Sequence, residues 1–343
     1  MFFFEQKRIF FAKITFATIT FTAIKRLMDY QRPPDGAVFP DDEEQSPEAF
    51  AADSSRNTVS ADRCQVLVVS LLGRDHDAPE AGHLELLSAF LGLPVVPHAP
   101  MDAEEEAELI VDEGQACIRF RGEGFPITAY RNKSQVARRV TLAELHAGND
   151  VRLDAGAVLS AMIDILDMIK SAPKKASKRR QRGGHHAQQQ RSTKSSNEEV
   201  SSMIFLVPAA LTEIDEPGVD VYGRSYGGNS VACVSTLGCS VRTMLSTSAH
   251  EILHCYQVEH CVTYKCLMNS SPGSGVDEAS APFFLCPHDL AKLETIVRPS
   301  AKNNAEPYSR MARHRLLAER FAALGDEFAS DAAFQRRLCS LLK

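Results

Sequence analysis

A histidine motif in the C-terminal half constrains this chain more than any other feature. Residues 250–254 read His-Glu-Ile-Leu-His, and a third histidine, His260, follows six residues after His254. Helical side chains four residues apart share one face, so His250 and His254 can direct two imidazoles at one ion. Glu251 is rotated by one residue. Its carboxylate therefore lies beside the ion, where it can accept a proton from a water molecule that attacks a carbonyl.

The spacing of the three histidines predicts a catalytic zinc site. Zinc takes four ligands, and a catalytic site keeps one position for water, so three protein ligands are required. His260 supplies the third ligand if the chain leaves the helix soon after His254 and turns back. The alternative, a helix with polar residues on a solvated face, does not account for a third histidine at this spacing.

The residues after the motif extend the pattern. Cys261 adjoins the third histidine, and Cys266, Met268 and Cys286 follow it. With them the stretch resembles the archaemetzincin family, whose pattern is H-E-x-x-H-x-x-G-x-x-H-C-x4-C-x-M-x17-C-x-x-C. The resemblance implies a zinc metallopeptidase with a compact metzincin-type α/β domain, a mixed sheet, an active-site helix and a helical C-terminal region. It also implies that Met268 lies beneath the histidines, and that Cys261, Cys266 and Cys286 bind a second, structural zinc.

Two positions depart from the family pattern. Gln257 stands where the pattern has glycine, at a place where the chain swings out of the helix with a positive φ. We expect glutamine there to cost on the order of 1 kcal/mol in backbone strain, and to reshape the turn that presents His260. Asp289 stands where the pattern ends in cysteine. Since zinc also accepts carboxylate or imidazole, we expect Asp289 to complete the second site, with His288 as the rival ligand. The alternative is three reduced, buried cysteines with no second metal.

Charge and cysteine content narrow the class of protein. The formal net charge is −6, which argues against nucleic acid as a partner, although residues 174–194 carry eight Lys or Arg and no acid. That basic segment makes nucleic-acid binding a weaker hypothesis beside metal-dependent chemistry. Five of the nine cysteines lie between Cys239 and Cys286, beside histidines at ligand spacing. This clustering indicates metal binding in a reducing compartment, the cytoplasm, rather than a disulfide framework.

The chain divides into a leader, a linker and one catalytic domain. Residues 1–28 are basic and rich in phenylalanine, and their apolar stretch is too short to span a membrane, so we expect no membrane partner. They are either a mitochondrial presequence or precede a true start at Met28. Residues 29–62, rich in Pro, Asp, Glu and Ser, predict a disordered acidic linker. Residues 63–343 predict a single metzincin-like domain with a low-complexity surface insertion at 173–200.

Hydrophobic periodicity predicts the order of strands and helices in this domain. Apolar runs predict buried strands, and apolar residues at helical spacing predict amphipathic helices. We expect a helix that ends at Gly92, a core helix with Asp154 as its N-cap, and the metal-binding helix from about Ser240. The predicted strands lie at 65–72, 93–96, 116–120, 203–208, 219–223 and 230–237, and the C-terminal helices at 290–297, 312–323 and 332–342.

Two finer predictions concern the cleft and the C-terminal region. By the resemblance, the strand at 230–237 forms the sheet edge above the cleft, where an extended peptide can add through backbone hydrogen bonds. His314 lies between two arginines, and we expect it to be exposed.

The leading hypothesis is a zinc-dependent metallopeptidase that acts on a peptide or protein. Glu251 is its general base and then its acid, beside a zinc that polarises the scissile carbonyl. The alternative is a catalytically impaired zinc-binding protein of the same fold that acts as a binding module. Gln257 and Asp289 motivate that alternative, because each weakens a feature that the family pattern keeps.

Overall fold

In a computed structural model of the protein, a five-stranded mixed sheet lies at the centre of the chain. Helices cover both of its faces, and two smaller sheets and a helical C-terminal region surround it. The structure describes residues 42–60, 62–71, 79–98, 108–112, 115–121, 123–127, 129–131, 151–171, 200–213, 220–270, 281–298 and 309–342.

The described residues form twelve strands and seven α-helices, with 3₁₀ turns at Gly227–Asn229 and Asp326–Phe328. The strands are β1 (Gln65–Ser70), β2 (Val95–Pro97), β3 (Glu108–Asp112), β4 (Gln115–Phe120), β5 (Glu123–Ile127), β6 (Ala129–Arg131), β7 (Val151–Asp154), β8 (Val200–Val207), β9 (Ala210–Thr212), β10 (Asp220–Val221), β11 (Gly223–Tyr226) and β12 (Val231–Ser235). The helices are α1 (Pro47–Ala52), α2 (Ala81–Leu91), α3 (Ala155–Ser171), α4 (Val241–Cys255), α5 (Pro287–Val297), α6 (Arg310–Ala323) and α7 (Ala329–Leu341).

The central sheet has the strand order β11-β12-β8-β1-β2. Strands β2, β1, β8 and β12 run parallel, and β11 pairs antiparallel with β12 at the edge. All eight residues of β8 are buried. A parallel strand that is covered on both faces needs a nearly continuous apolar run, and this requirement explains why the sequence of β8 predicts its position.

The two faces of the sheet belong to two separate cores. Side chains alternate along a strand, so Val66 and Val68 of β1 point into the core that contains α4 and α2. Leu67 and Val69 point into the other core, which contains α3. Helix α3 begins after Asp154, whose Oδ1 accepts a hydrogen bond from the Ala157 amide at 2.5 Å, as predicted for its N-cap. The α/β prediction with a mixed sheet is confirmed.

Smaller elements complete the structure. A four-stranded sheet has the order β10-β9-β7-β6, and β3, β4 and β5 form an antiparallel sheet. The predicted helical C-terminal region is present as α5, α6 and α7. The buried Arg242 guanidinium donates to both oxygens of Asp331, at 2.7 and 3.0 Å, and so joins α4 to α7. No helix among the described residues has the length and apolar character needed to cross a bilayer.

The prediction that His314 is exposed is wrong. Its side chain is 3% exposed, and its Nδ1 lies 2.7 Å from Gln335 Oε1. The two flanking arginines suggest a solvated face, but α6 packs on α7 along the face that carries His314. Tertiary packing therefore outweighs the local charge.

The predicted disorder of residues 29–62 is also wrong for the part that the structure describes. Helix α1 lies within it, capped by Ser46, whose Oγ accepts from the Ala49 amide at 3.1 Å. Phe50 is 1% exposed within the core. One buried aromatic and several side chains that bond to the domain hold this segment in place, although its average composition is polar. The leader at 1–28 and nearly all of the insertion at 173–200 lie outside the described residues.

Candidate metal centre

Helix α4 carries the first two histidines and is fixed by its cap and by its apolar face. Ser240, the residue at which the sequence predicts the start of this helix, is its N-cap and accepts a hydrogen bond from the Thr243 amide at 3.1 Å. Leu245, Ala249 and Ile252 are at most 1% exposed and pack under the central sheet. Their spacing leaves His250 and His254 together on the side that faces the loop after the helix.

The imidazoles of His250 and His254 present their Nε2 atoms to each other, 3.0 Å apart. The Nδ1 atom of His250 lies 2.8 Å from the Leu267 carbonyl, and that of His254 lies 2.6 Å from the Val258 carbonyl. A carbonyl can only accept, so each Nδ1 carries the proton and each Nε2 keeps a lone pair. This tautomer is the one that a metal-binding histidine needs.

The chain reverses at the end of α4 through a Schellman turn. The Gln257 amide donates to the His254 carbonyl at 2.8 Å, and the Val258 amide donates to the Leu253 carbonyl at 3.2 Å. Gln257 itself has a φ of +64°, the left-handed conformation that the glycine of the family pattern would adopt without strain. Gln257 therefore occupies a strained backbone conformation, and the Schellman turn still forms.

The turn brings His260 back to the first two histidines. Its ring centroid lies 5.5 Å from that of His250 and 4.8 Å from that of His254. One ligand atom from each of the three residues lies within 4.8 Å of the others. Around a tetrahedral zinc, nitrogen ligands about 2.0–2.1 Å from the metal lie about 3.3 Å apart. The separation of 3.0 Å between His250 and His254 is close to this value, so the residues fit the metal.

Burial keeps two of these imidazoles in their ligand form. Burial and the neighbouring His250 lower the pKa of His254 well below its usual value. Burial and His250 also lower the pKa of His260, and Asp42 opposes this effect only in part. Both rings are therefore neutral near pH 7 and can donate a lone pair to a cation.

Glu251 lies beside the three histidines and is 7% exposed. Burial raises its pKa, while His250 and a hydrogen bond from the Ser225 side chain act in the opposite direction. Ser225 belongs to β11, so the edge strand holds the carboxylate on the side of the histidines. No motif in the sequence identifies Ser225, because its role depends on the pairing of β11 with β12.

The edge strand differs from the one predicted. The resemblance places the strand at 230–237 at the edge, but β12 is internal, because it pairs with β8 on one side and with β11 on the other. All five residues of β12 are buried. The edge strand beside the site is therefore β11.

Two glycines allow β11 and the 3₁₀ turn after it to approach α4. A Cβ on Gly223 would lie 2.6 Å from Glu251 Cγ and 2.8 Å from Glu251 Oε1, and a Cβ on Gly227 would lie 2.8 Å from the His254 carbonyl. Real Cβ atoms do not approach so closely. These glycines could have been suspected from their positions around a predicted edge strand, since backbone approach is a common reason for glycine there.

The loop after His260 supports the first site from below. Met268 is fully buried and its carbonyl accepts from the Cys261 amide at 2.7 Å, while the preceding carbonyl, Leu267, holds His250. The Asn269 side chain ties the loop together. Its amide nitrogen donates to the Cys261 and Tyr264 carbonyls at 2.7 and 2.8 Å, and its oxygen accepts from the Cys266 amide at 2.8 Å.

A second group of ligand atoms lies behind this loop, formed by Cys261, Cys266, Cys286 and Asp289. All four residues are buried. The Cys261 and Cys286 sulfurs lie 3.7 Å apart, and Asp289 Oδ2 lies 3.2 Å from both Cys266 Sγ and Cys286 Sγ. Tetrahedral zinc with S at about 2.3 Å and O at about 2.0–2.2 Å gives separations of about 3.8 Å between sulfurs and about 3.5 Å between S and O. The residues fit a second zinc.

The structure brings Asp289, and not its rival His288, into this group. The His288 Nδ1 instead lies 3.4 Å from Glu44 Oε1. Asp289 uses its other oxygen, Oδ1, to accept from the buried Lys292 ammonium at 2.9 Å. Burial raises the pKa of Asp289, and the neighbouring Lys292 ammonium offsets this rise only in part. Hydrogen bonds from the Cys266 and Cys286 thiols lower the pKa of Cys261. No motif in the sequence identifies Lys292.

Comparisons with known proteins give a limited likeness. No protein-family model and no curated protein matches the chain. A zinc-dependent peptidase from Methanocorpusculum labreanum is 17% identical, with a TM-score of 0.39 over 67% of this chain and 99% of its own. The archaemetzincin from Methanopyrus kandleri is 16% identical, with a TM-score of 0.38 over 69% and 96%. The archaemetzincin from Archaeoglobus fulgidus, solved with malonate, is 12% identical, with a TM-score of 0.34 over 66% and 99%. Since these TM-scores lie below 0.5, the function proposed below depends on the residues of this chain alone.

Proposed function

We propose that this protein is a zinc-dependent metallopeptidase that hydrolyses peptide bonds. The observation that supports this most directly is the convergence of His250, His254 and His260 beside Glu251. The Nδ1 atoms of His250 and His254 each contact a backbone carbonyl, and that of His260 contacts the Asp42 carboxylate. These contacts leave the three Nε2 atoms available as ligands. A buried structural cluster would have no need of three such lone pairs on one side.

The chemistry follows from the positions of the protein groups. Zinc, when bound by the three imidazoles, supplies a Lewis acid that polarises a carbonyl and lowers the pKa of water. Glu251 accepts the proton of the attacking water and returns it to the leaving amine. Its raised pKa, caused by burial, makes it a stronger base than an exposed carboxylate. The Ser225 hydroxyl holds the carboxylate in place during both transfers.

Strand β11 is the element that we expect to bind the substrate. It is the terminal strand of the central sheet, and Gly223 and Ser225 on it touch or bond to Glu251. An extended peptide that adds to this edge through backbone hydrogen bonds would pass directly over the general base. The partner is therefore a peptide or protein in extended conformation.

Replacement of Glu251 tests this function. Glu251→Gln keeps the shape of the side chain and removes the base, so we expect hydrolysis of a peptide library to fall by about 10²–10⁴-fold, while zinc content is retained. Glu319→Gln, an exposed site on α6, is the matched control and should retain full activity. Full activity of zinc-loaded Glu251→Gln would refute the mechanism.

We also propose a second, structural zinc held by Cys261, Cys266, Cys286 and Asp289. None of the described cysteines forms a disulfide, and three thiolates suit a reducing compartment such as the cytoplasm. Purified protein should contain two zinc ions per chain, and Cys286→Ser should contain one. Cys339→Ser, outside the cluster, should still contain two. A single zinc in the native protein that persists in Cys286→Ser would exclude the second site.

A catalytically impaired zinc-binding module is the second candidate. The strained Gln257 turn and the Asp289 substitution favour it, since both depart from the family pattern. It predicts that zinc-loaded native protein hydrolyses no member of a peptide library, and that a fourth protein ligand closes the first site.

A further inference from the structure

The segment that precedes the domain contacts the first site directly. We define the N-terminal strap as residues 42–52, which comprise five residues outside regular secondary structure followed by α1. Asp42 Oδ1 lies 3.4 Å from His260 Nδ1. Gln45 Nε2 donates to the Gln257 carbonyl at 3.0 Å, and Gln45 Oε1 accepts from the Glu259 amide at 3.2 Å. All three contacts fall on the turn that presents the third histidine.

The Gln45 contacts have a specific geometry. One primary amide donates to the carbonyl of Gln257 and accepts from the amide of Glu259, which is how a neighbouring strand would pair with that stretch. Two simultaneous bonds fix both the position and the rotation of the turn, whereas one bond would leave rotation free. The strap therefore restrains the left-handed residue Gln257 and the residue before His260 together.

The strap is itself anchored to the domain. Ser46 caps α1, and Phe50 on α1 is 1% exposed within the main core. Downstream, the Asn57 amide donates to the Ser201 carbonyl at 3.2 Å and to the Cys255 carbonyl at 3.3 Å, at the end of the metal-binding helix. Because the chain is anchored directly after its contacts with the turn, the strap can transmit a positional restraint to the turn.

The Asp42 carboxylate complements His260 chemically. It accepts from Nδ1–H, as the Leu267 and Val258 carbonyls do for His250 and His254. The described ligand atoms that lie within 4.8 Å of one another are those of the three histidines, without Asp42. Asp42 therefore has the position of an outer partner that orients a ligand, rather than that of a ligand.

We propose that the N-terminal strap is a positioning element for the first metal site, in which Asp42 orients the His260 ring and Gln45 holds the strained turn in place. The inference rests on the proposed zinc site. It gives the turn an external support at the point where glutamine replaces glycine. Loss of an outer partner of this kind typically weakens metal binding by about 10–100-fold.

Zinc affinity of the full chain tests the strap. We would measure the dissociation constant of the first site by competition with a chelator, and the spectrum of the cobalt-substituted protein as an independent report on coordination. Asp42→Ala should weaken binding about 10–100-fold and change the cobalt spectrum. Asp42→Asn keeps an oxygen acceptor and should recover part of the loss. Gln45→Ala should also weaken zinc binding, because the turn that presents His260 loses both of its hydrogen bonds to Gln45.

The matched control is Glu43→Ala, which removes an exposed carboxylate next to Asp42. It should leave zinc affinity unchanged, and the cysteine site should be unchanged in every variant. Equal affinities in Asp42→Ala, Gln45→Ala and Glu43→Ala would overturn the proposal. So would a rise in hydrolysis in Asp42→Ala, because it would identify Asp42 as an inhibitory ligand. Since the readout is zinc binding, a native protein that binds zinc but hydrolyses nothing would refute the peptidase and leave the strap testable.

Discussion

At the scale of single residues, the site depends on how closely β11 approaches Glu251. The gap at Gly223 is too small for a methyl group, because a Cβ there would lie 2.6 Å from Glu251 Cγ. Ser225, on the same strand, also donates a hydrogen bond to the Glu251 carboxylate. The position of the proposed general base is thus set by a strand that contributes none of the proposed metal ligands.

Gly223→Ala should therefore displace Glu251 without removing it. A displacement of the order of 1 Å can cost about 10²-fold in rate, so we expect hydrolysis to fall by at least about tenfold. Zinc affinity should be unchanged, because the proposed ligands are the three histidines and do not include Glu251. Gly228→Ala is the control, since a Cβ at Gly228 meets nothing within 4 Å. Equal activity in both variants would show that β11 does not position the base.

Single residues also mark what the sequence could and could not predict. The three histidines and Glu251 are predictable, because their spacing on one helix and one turn defines their relative positions. The preference for Asp289 over His288 comes from the matching position in the family pattern alone, because adjacent helical residues point in different directions and the start of α5 decides which one faces the sulfurs. Ser225 and Asp42 act through contacts between elements far apart in the chain, which no local pattern encodes. Lys292 pairs with Asp289 at i,i+3 on one helix, but the burial of this pair depends on packing around α5.

At the scale of elements, α5 joins the second cluster to the core. Its N-terminus supplies Cys286 and Asp289, and one turn later it supplies Lys292, which is 2% exposed. The Asp289 carboxylate divides its two oxygens between the sulfurs and this ammonium. A buried lysine is stable when such a partner is present.

Asp289→Cys, which would place a cysteine where the archaemetzincin pattern has one, should be destabilising by itself. A single sulfur cannot serve the metal and the lysine as two oxygens do, and loss of a buried partner typically costs about 3–5 kcal/mol. Asp289→Cys/Lys292→Met should recover on the order of 3 kcal/mol. Chemical denaturation at one fixed zinc concentration, with Lys292→Met as the third corner of the cycle, measures this coupling. If Asp289→Cys is as stable as the native protein, the pair has no such role.

The elements themselves were predicted unevenly. The sequence predicts β8, α3 and α4 well, because long apolar runs and capped amphipathic patterns are encoded locally. The prediction places the edge strand in the wrong half of its hairpin, because pairing partners are not encoded within a strand. The sequence does not predict helix α1, because its stability depends on the burial of Phe50 in a core built by distant residues.

At the scale of the whole molecule, the packing of α6 against α7 buries the titratable side chain of His314. Burial lowers the pKa of His314 to about 4 from 6.5, and the nearby Arg313 acts in the same direction. The unfolded chain therefore binds more protons than the folded one between these values. Stability falls as pH falls from about 6.5 to about 4, and the penalty is complete below that range.

His314→Gln should remove this part of the pH dependence. The neutral side chain can still bond to Gln335, so the free energy of unfolding near pH 7 should change little. Between pH 6.5 and 4 the variant should lose less stability than the native protein, with a difference on the order of 3 kcal/mol at the acid end. Denaturant unfolding across this range, at saturating zinc, measures the difference. Parallel pH profiles would show that His314 does not titrate in this way.

The location of zinc in the loaded protein tests the central claim most directly. Anomalous diffraction at the zinc edge should give a peak about 2.0–2.1 Å from one ring nitrogen each of His250, His254 and His260, with a solvent-facing fourth position next to Glu251. The account would be contradicted if no zinc peak lay between His250 and His254, or if the His260 ring were turned away from the peak.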